Sequence, residues 1–193
     1  QVEHPVTEEI TGLDLVEWQI RVASGEKLPL GQERIRMRGH AVEVRLCAED
    51  PAKGFLPSVG DIAWLEVQED DGLRFETGLA SRGTVSPFYD SMIAKLITSG
   101  ADRTAALERM DAALSETSLL GLRSNARFLR SLVRSENVRA ARMDTGLIAA
   151  ELEHLTAEPR NAVAIANGIS YLARMAAHEA RRRLELDEVD PWS

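Results

Sequence analysis

Gly39-His40-Ala41-Val42-Glu43-Val44-Arg45-Leu46-Cys47-Ala48-Glu49-Asp50-Pro51 is the stretch in which the chain changes its period. Ahead of it apolar residues recur at helical spacing, and inside it they alternate. Val42, Val44 and Leu46 point one way and Ala41, Glu43 and Arg45 the other, the pattern of a strand with one face buried. More strands are expected over residues 62–67, 73–77 and 92–98, with Asp70-Asp71-Gly72 as the turn between the first two of these. Residues 51–61 read as loop, punctuated by Gly54, Pro57 and Gly60. Residues 86–90 read as an extended loop that holds Pro87.

Helices flank this central region. Upstream, a short helix is expected over residues 6–12 and a second from Asp14, a good N-cap, to Gly25, a good stop. Leu13, Val16, Ile20 and Ala23 recur along its apolar side, and Glu17 with Arg21 forms an i,i+4 pair on the wet side. Residues 25–32, with Pro29 and two glycines, read as a linker. Downstream, Asp102 or Thr104 caps a helix that turns Ala106, Met110, Ala113 and Leu114 to the core. Residues 124–134 form another, and Asp144 caps a third that runs through Leu155. Pro159 suits the first turn of a long helix with Ala162, Ile165, Ala166, Ile169, Leu172, Ala173 and Ala176 along one stripe. Arg181, Arg182 and Arg183 sit near its end, where positive charge favours the helix dipole.

The 193 residues are 44% hydrophobic and 28% charged, ordinary for a globular protein able to bury a sizeable core. A net charge of −8 argues against nucleic acid as a main partner, because phosphate binding wants a basic face. No apolar run approaches the roughly 18 residues of a membrane span. Cys47 is the lone cysteine, which excludes an internal disulfide and a multi-cysteine zinc site; it reads as a small buried hydrophobe. His4, His40, His154 and His178 are scattered, so no metal site is expected. This balance suits a cytoplasmic protein, or one of the mitochondrial matrix if the source is eukaryotic.

Gln1-Val2-Glu3-His4-Pro5 strings together residues that little in a folded core requires. It resembles the bicarbonate-handling strand of the biotin carboxylases. The stretch quoted at the outset resembles that family's Gly-His-Ala-x-Glu-x-Arg-x-x-Ala-Glu-Asp-Pro signature. Phe88-Tyr89-Asp90-Ser91-Met92-Ile93-Ala94-Lys95-Leu96 resembles its Tyr-Asp-x-Met-Ile-x-Lys-Leu signature. The resemblance implies that Glu3 is the general base that deprotonates bicarbonate, with the Gln1 side chain and the Val2 main chain holding the anion. That chemistry wants a carboxylate within hydrogen-bond reach of the acid proton, and cations nearby. Arg45, by the same resemblance, stabilises the enolate-like oxygen of biotin once N1′ has lost its proton. A fixed donor fork aimed at developing negative charge is the logic of an oxyanion hole. Glu43, on the Arg45 face, reads either as orienting Arg45 or simply as pairing with it. Asp90 reads as a turn cap or as a support for Arg45, and Leu147 as an apolar contact to adenine or as plain helix core.

The fold implied is α+β, a mostly antiparallel sheet with packed helices (the biotin carboxylase C-terminal domain). A piece of ATP-grasp domain precedes it and a long helix follows. The expected divisions are residues 1–30 for the ATP-grasp piece, 31–155 for the C-terminal domain and 156–193 for a helical linker toward a further domain. The cofactors implied are ATP, Mg²⁺ or Mn²⁺, and biotin on a carrier domain. Most of the ATP and metal site is expected outside this sequence, which reads as a piece of a larger enzyme and by itself should not turn over. The implied partners are the biotin carrier domain and a carboxyltransferase β-subunit, in an oligomeric parent. Asp14-Leu15-Val16-Glu17-Trp18-Gln19 is most similar to the 3-methylcrotonyl-CoA carboxylase subfamily, with propionyl-CoA or acetyl-CoA carboxylase as rivals. The alternative is a non-catalytic assembly module that uses its sheet edge and C-terminal helix.

Overall fold

The computed structural model describes residues 4–67, 71–79 and 83–157, together with Ile169, Leu172, Ala173, Ala176 and Ala177. Gln1, Val2 and Glu3 therefore lie outside the described residues, as do Asp70 and most of the expected C-terminal helix. By its contacts the chain divides into two units, Gln1–Thr156 and Ala157–Ser193. In the second, the five described residues from Ile169 to Ala177 are helical, and Ile169 and Leu172 are exposed.

In the first unit the helices are α1 (His4–Thr11), α2 (Leu15–Ala23), α3 (Arg103–Glu116), α4 (Ala126–Arg134), α5 (Glu136–Arg139) and α6 (Leu147–Thr156). The strands are β1 (His40–Cys47), β2 (Glu49–Asp50), β3 (Leu56–Pro57), β4 (Gly60–Asp61), β5 (Trp64–Glu66), β6 (Leu73–Thr77), β7 (Thr84–Val85), β8 (Met92–Gly100) and β9 (Ser118–Leu120). The main sheet has the order β1-β8-β6, and each pairing among the described strands is antiparallel. Helices packed on an antiparallel sheet make this an α+β fold, as expected.

Local chemistry accounts for most of the boundaries. Asp14 accepts a hydrogen bond from the Glu17 backbone N–H at 2.8 Å and starts α2. Asp102, not Thr104, does the same for α3 through Ala105 N–H at 2.9 Å. Gly39 opens β1 at φ +67°, where a Cβ would meet the Gly100 carbonyl oxygen at 2.5 Å, so the motif begins with glycine on two counts.

Alternation in β1 survives folding only in its second half, since Ala41 and the Glu43 side chain, expected on the open face, are buried where α1 packs on the sheet. Val44 and Leu46 are buried and Arg45 is exposed. The Val44 face packs with Leu96 of β8 and with Leu107, Met110 and Leu114 of α3 in one core cluster. The Thr98 hydroxyl ties β8 to α3 by donating to the Ala106 carbonyl at 2.9 Å. α4 and α6 extend this core through Phe128, Leu129, Val133 and Leu155, and the Phe128 ring meets Phe55 edge-on at 5.1 Å.

Three expectations are corrected. The strands around residues 64–66 and 73–77 are not partners in a hairpin: β5 pairs with β9, and β6 with β8. A turn signal fixes only that two segments are near in sequence, whereas a strand takes the partner that best buries its apolar face. Residues 51–61 are not plain loop, since β3 pairs back on β2 and β4 pairs with β7. The apolar side of α2 is largely uncovered among the described residues: Val16 and Ile20 are 47% and 64% exposed, and Ala23 is exposed as well. Its wet side behaves as read, with the Arg21 guanidinium donating to Glu17 at 2.6 Å.

Candidate functional site

Antiparallel register places Arg45 directly opposite Lys95, and Lys95 directly opposite Glu76, so one row of side chains crosses the three-stranded sheet. The next row runs Glu43, Ile97, Arg74. Both rows stand on the face away from α3. Two cations side by side repel each other, and Glu43 offsets this from the neighbouring row. Its Oε1 lies 4.0 Å from Lys95 Nζ, and its side chain is only 3% exposed against 19% for Lys95. Arg45 remains exposed at the end of the row. The arrangement is a cationic surface backed by a buried carboxylate, suited to an anion or to an oxygen that gains negative charge.

The backbone that carries Arg45 is held by a residue 80 positions away. Asn125 is 6% exposed, and its Nδ2 donates to the Arg45 carbonyl at 3.0 Å. Its Oδ1 accepts from the Cys47 N–H at 2.9 Å, and its own N–H donates to the Cys47 carbonyl at 3.1 Å. These bonds fall where the β1–β8 register slips between Leu46 and Cys47.

α1 bears on the same sheet. Glu8, 8% exposed, accepts from Arg74 Nη1 at 2.7 Å through Oε2 and from the Leu15 N–H at 2.9 Å through Oε1. Arg74 also bonds Glu76 and approaches Glu9 at 3.7 Å. Burial alone would raise the Glu8 carboxyl, but the bonds from Arg74 and Leu15 outweigh it and leave the group below the usual carboxylate range.

Residues 43–150 match the family described as the biotin carboxylase C-terminal domain, and that span is more than half of the chain. The chain belongs to the biotin carboxylase family. Residues 1–31 match a second family, the ATP-binding domain of the carbamoyl-phosphate synthase L chain. The alpha subunit of mitochondrial methylcrotonoyl-CoA carboxylase from Mus musculus is 47% identical over 149 residues, which cover 77% of this chain and 21% of that one. The biotin carboxylase of Halalkalibacterium halodurans is 43% identical over 153 residues, 79% of this chain and 34% of its own. Among solved structures, the biotin carboxylase domain dimer of Hydrogenobacter thermophilus 2-oxoglutarate carboxylase, in complex with MgADP, ADP and bicarbonate, superposes with a TM-score of 0.79. It is 39% identical and covers 83% of this chain and 35% of that one. The chain thus spans about a fifth to a third of the length of these curated relatives.

On this biotin carboxylase fold the remaining candidates are distributed as follows. Glu43 and Arg45 stand two residues apart on β1, and Lys95 is the cation 4.0 Å from the Glu43 carboxylate. Asp90 is exposed and caps its own turn, with Oδ1 accepting from the Met92 N–H at 2.8 Å. Burial first, then Glu49 and Asp90, push the Cys47 thiol up to about 11, against smaller opposing effects of a Ser91 hydrogen bond and of Arg45. A cavity of ≈ 480 Å³ opens beside the cationic row between Glu76, Leu79, Tyr89, Asp90 and Lys95. Leu147 is half-buried and packs against the core cluster, as a helix-core leucine would. Among the described residues no group of three or more His, Cys, Asp or Glu could hold a metal ion.

Sequence reading missed Lys95 and Asn125. Alternation alone puts Lys95 on a face without naming its neighbour, and only register does that. Asn125 does carry a signal, an Asx residue ahead of an apolar helix, but it points to helix capping rather than to β1.

Proposed function

We propose that this chain is part of the biotin carboxylase component of a biotin-dependent acyl-CoA carboxylase, which carboxylates carrier-borne biotin at the expense of ATP and bicarbonate. The observation that carries the reading is the Arg45–Lys95 row on a sheet whose family match extends over residues 43–150. The Arg45 guanidinium, exposed on a strand braced at its backbone, fits the planar ureido oxygen of biotin as that oxygen gains negative charge. Fixed donors aimed at developing charge lower a barrier most when nothing need reorganise. Glu43, 4.0 Å from Lys95, offsets the repulsion between Lys95 and Arg45, and in this way Glu43 and Lys95 act as positioning groups for Arg45. Asp90 adds negative charge to the same neighbourhood.

Glu3 is the proposed base toward bicarbonate, with Gln1 and Val2 holding the anion; it immediately precedes α1, which Glu8 and Arg74 anchor to the sheet. Leu147 is proposed to face the adenine of ATP. ATP supplies the phosphoryl group that activates bicarbonate. The metal donors for Mg²⁺ or Mn²⁺ are proposed to lie in the remainder of a longer polypeptide, and residues 1–193 alone are expected to be inactive. The partners proposed are a biotin carrier domain and a carboxyltransferase β-subunit. The acyl-CoA proposed is 3-methylcrotonyl-CoA, supported by the mouse relative's identity. The proposed divisions remain 1–30, 31–155 and 156–193, and the proposed site of action is the cytoplasm, or the mitochondrial matrix in a eukaryote.

The test is made on the full-length carboxylase: bicarbonate-dependent ATP cleavage and carboxylation of free biotin, wild type against Glu3→Gln and Arg45→Ala. Both variants should lose biotin carboxylation by about a hundredfold or more while nucleotide binding persists. Near-normal carboxylation in both would leave these motifs as marks of a shared fold only.

A further inference from the structure

We propose that Asn125 is a positioning residue for Arg45, one that fixes the guanidinium's approach by gripping the strand from its free edge. The proposal rests on the reading of Arg45 as the group that meets biotin.

β1 is an edge strand of the sheet, with β8 on one side only. In an antiparallel strand the carbonyl of residue i and the N–H of residue i+2 point to the same edge. For i = 45 that pair faces away from β8, and a single side-chain amide fills both positions: Nδ2 to the Arg45 carbonyl at 3.0 Å and Oδ1 from the Cys47 N–H at 2.9 Å. With the Asn125 N–H on the Cys47 carbonyl, three bonds reproduce what a neighbouring strand would supply.

The location matters. The ladder to β8 slips between Leu46 and Cys47, one residue beyond Arg45. A bulge relaxes the restraint that regular pairing gives and re-aims the side chains beside it. Asn125 replaces that restraint on the opposite edge of the same three residues. Leu46, between the two bonded peptides, is fully buried and orients the segment from the core side.

A second observation separates this from ordinary helix capping. Asn125 stands at the N-cap of α4, where an Asn side chain normally accepts from the first turn, yet it makes no such bond. The Ser124 hydroxyl, 3.5 Å from the Ala126 N–H, is the side chain at the start of the helix, and the Asn125 amide serves β1 instead. Ser or Asp, which also cap helices well, cannot both donate and accept across this span; Asn can.

Two activities measured on one sample of the full-length carboxylase test the idea: bicarbonate-dependent ATP cleavage without biotin, and carboxylation of free biotin. Displacing a reacting group by an ångström costs on the order of a hundredfold. Asn125→Ala should therefore lower carboxylation by about ten- to a hundredfold relative to ATP cleavage, and raise the KM for biotin. Asn125→Asp keeps the acceptor for Cys47 and loses the donor to Arg45. It should show the same selective loss, and it serves where the alanine variant fails to fold. Parallel loss of both activities by one factor, or no loss in either, would overturn the proposal. Arg45→Ala runs alongside. If it leaves the ratio of the two activities unchanged, the reading of Arg45 falls and this inference with it. If it alone changes the ratio, only the role of Asn125 falls.

Discussion

Glu8 and Arg74 are 66 residues apart in the chain, yet the Arg74 Nη1 donates to Glu8 Oε2 at 2.7 Å. The carboxylate is buried while the guanidinium is a third exposed, and the other Glu8 oxygen holds the first turn of α2 through the Leu15 N–H. One residue thereby fixes α1, α2 and β6 to each other. A buried carboxylate is tolerable only when it is paired and hydrogen-bonded, and here both oxygens are.

Acid should release this anchorage. The Glu8 carboxyl is lowered in the folded state, so its contribution is present above the usual carboxylate pKa of about 4.3 and is lost as pH falls through the lower folded value. Stability measured by urea unfolding should decline below about pH 4 in the wild type, and decline less in Arg74→Met. At pH 7 Arg74→Met should cost about 1–2 kcal/mol, discounted from the buried-pair range because Arg74 is partly solvated. A wild-type and a variant curve that run parallel through pH 4 would remove Glu8 from this role.

Cys47 should resist alkylation. Its thiol is held up to about 11, chiefly by burial, and the thiolate is the reactive form. Iodoacetamide labelling of the folded chain should stay slow at pH 8 and accelerate only above roughly pH 10, whereas the urea-unfolded chain should label at the rate of an ordinary thiol. Rapid labelling of the folded protein at pH 7 would mean that the end of β1 is open.

Core and surface leucine-type residues should part sharply. Leu46 is fully buried beneath the sheet, and Ile20 is 64% exposed on α2. Leu46→Ala should destabilise by about 2–5 kcal/mol, the usual cost of a core cavity. Ile20→Lys should shift stability by no more than about 0.5 kcal/mol. Thermal unfolding of the two variants in this chain decides the matter; a large loss in Ile20→Lys would show that α2 is packed on its apolar side.

Much of the architecture was legible because it is local. The Asp14 and Asp102 caps, the Glu17–Arg21 pair and the alternation that exposes Arg45 each depend on residues within a few positions of one another. The motif at residues 39–51 and that at 88–96 were recognisable apart, and the structure makes them paired strands, with Arg45 across from Lys95. Three things were not readable in advance. The partner of β5 is β9, a strand of three residues too short to leave a periodic signal. The Asx residue before α4 turned out to bond β1. The apolar stripe of α2 is exposed rather than packed.

From its sequence alone this protein determined the order of its longer helices and strands, the exposure of Arg45 on its strand, and its membership of the biotin carboxylase family, because period, capping and motif are properties of neighbouring residues. Tertiary structure decided which strand lies beside which, and hence that Lys95 faces Arg45, that Glu8 meets Arg74 and that Asn125 closes the edge of β1. Those contacts span dozens of residues. They follow from register and from the need to satisfy buried polar groups, which only the folded chain brings together.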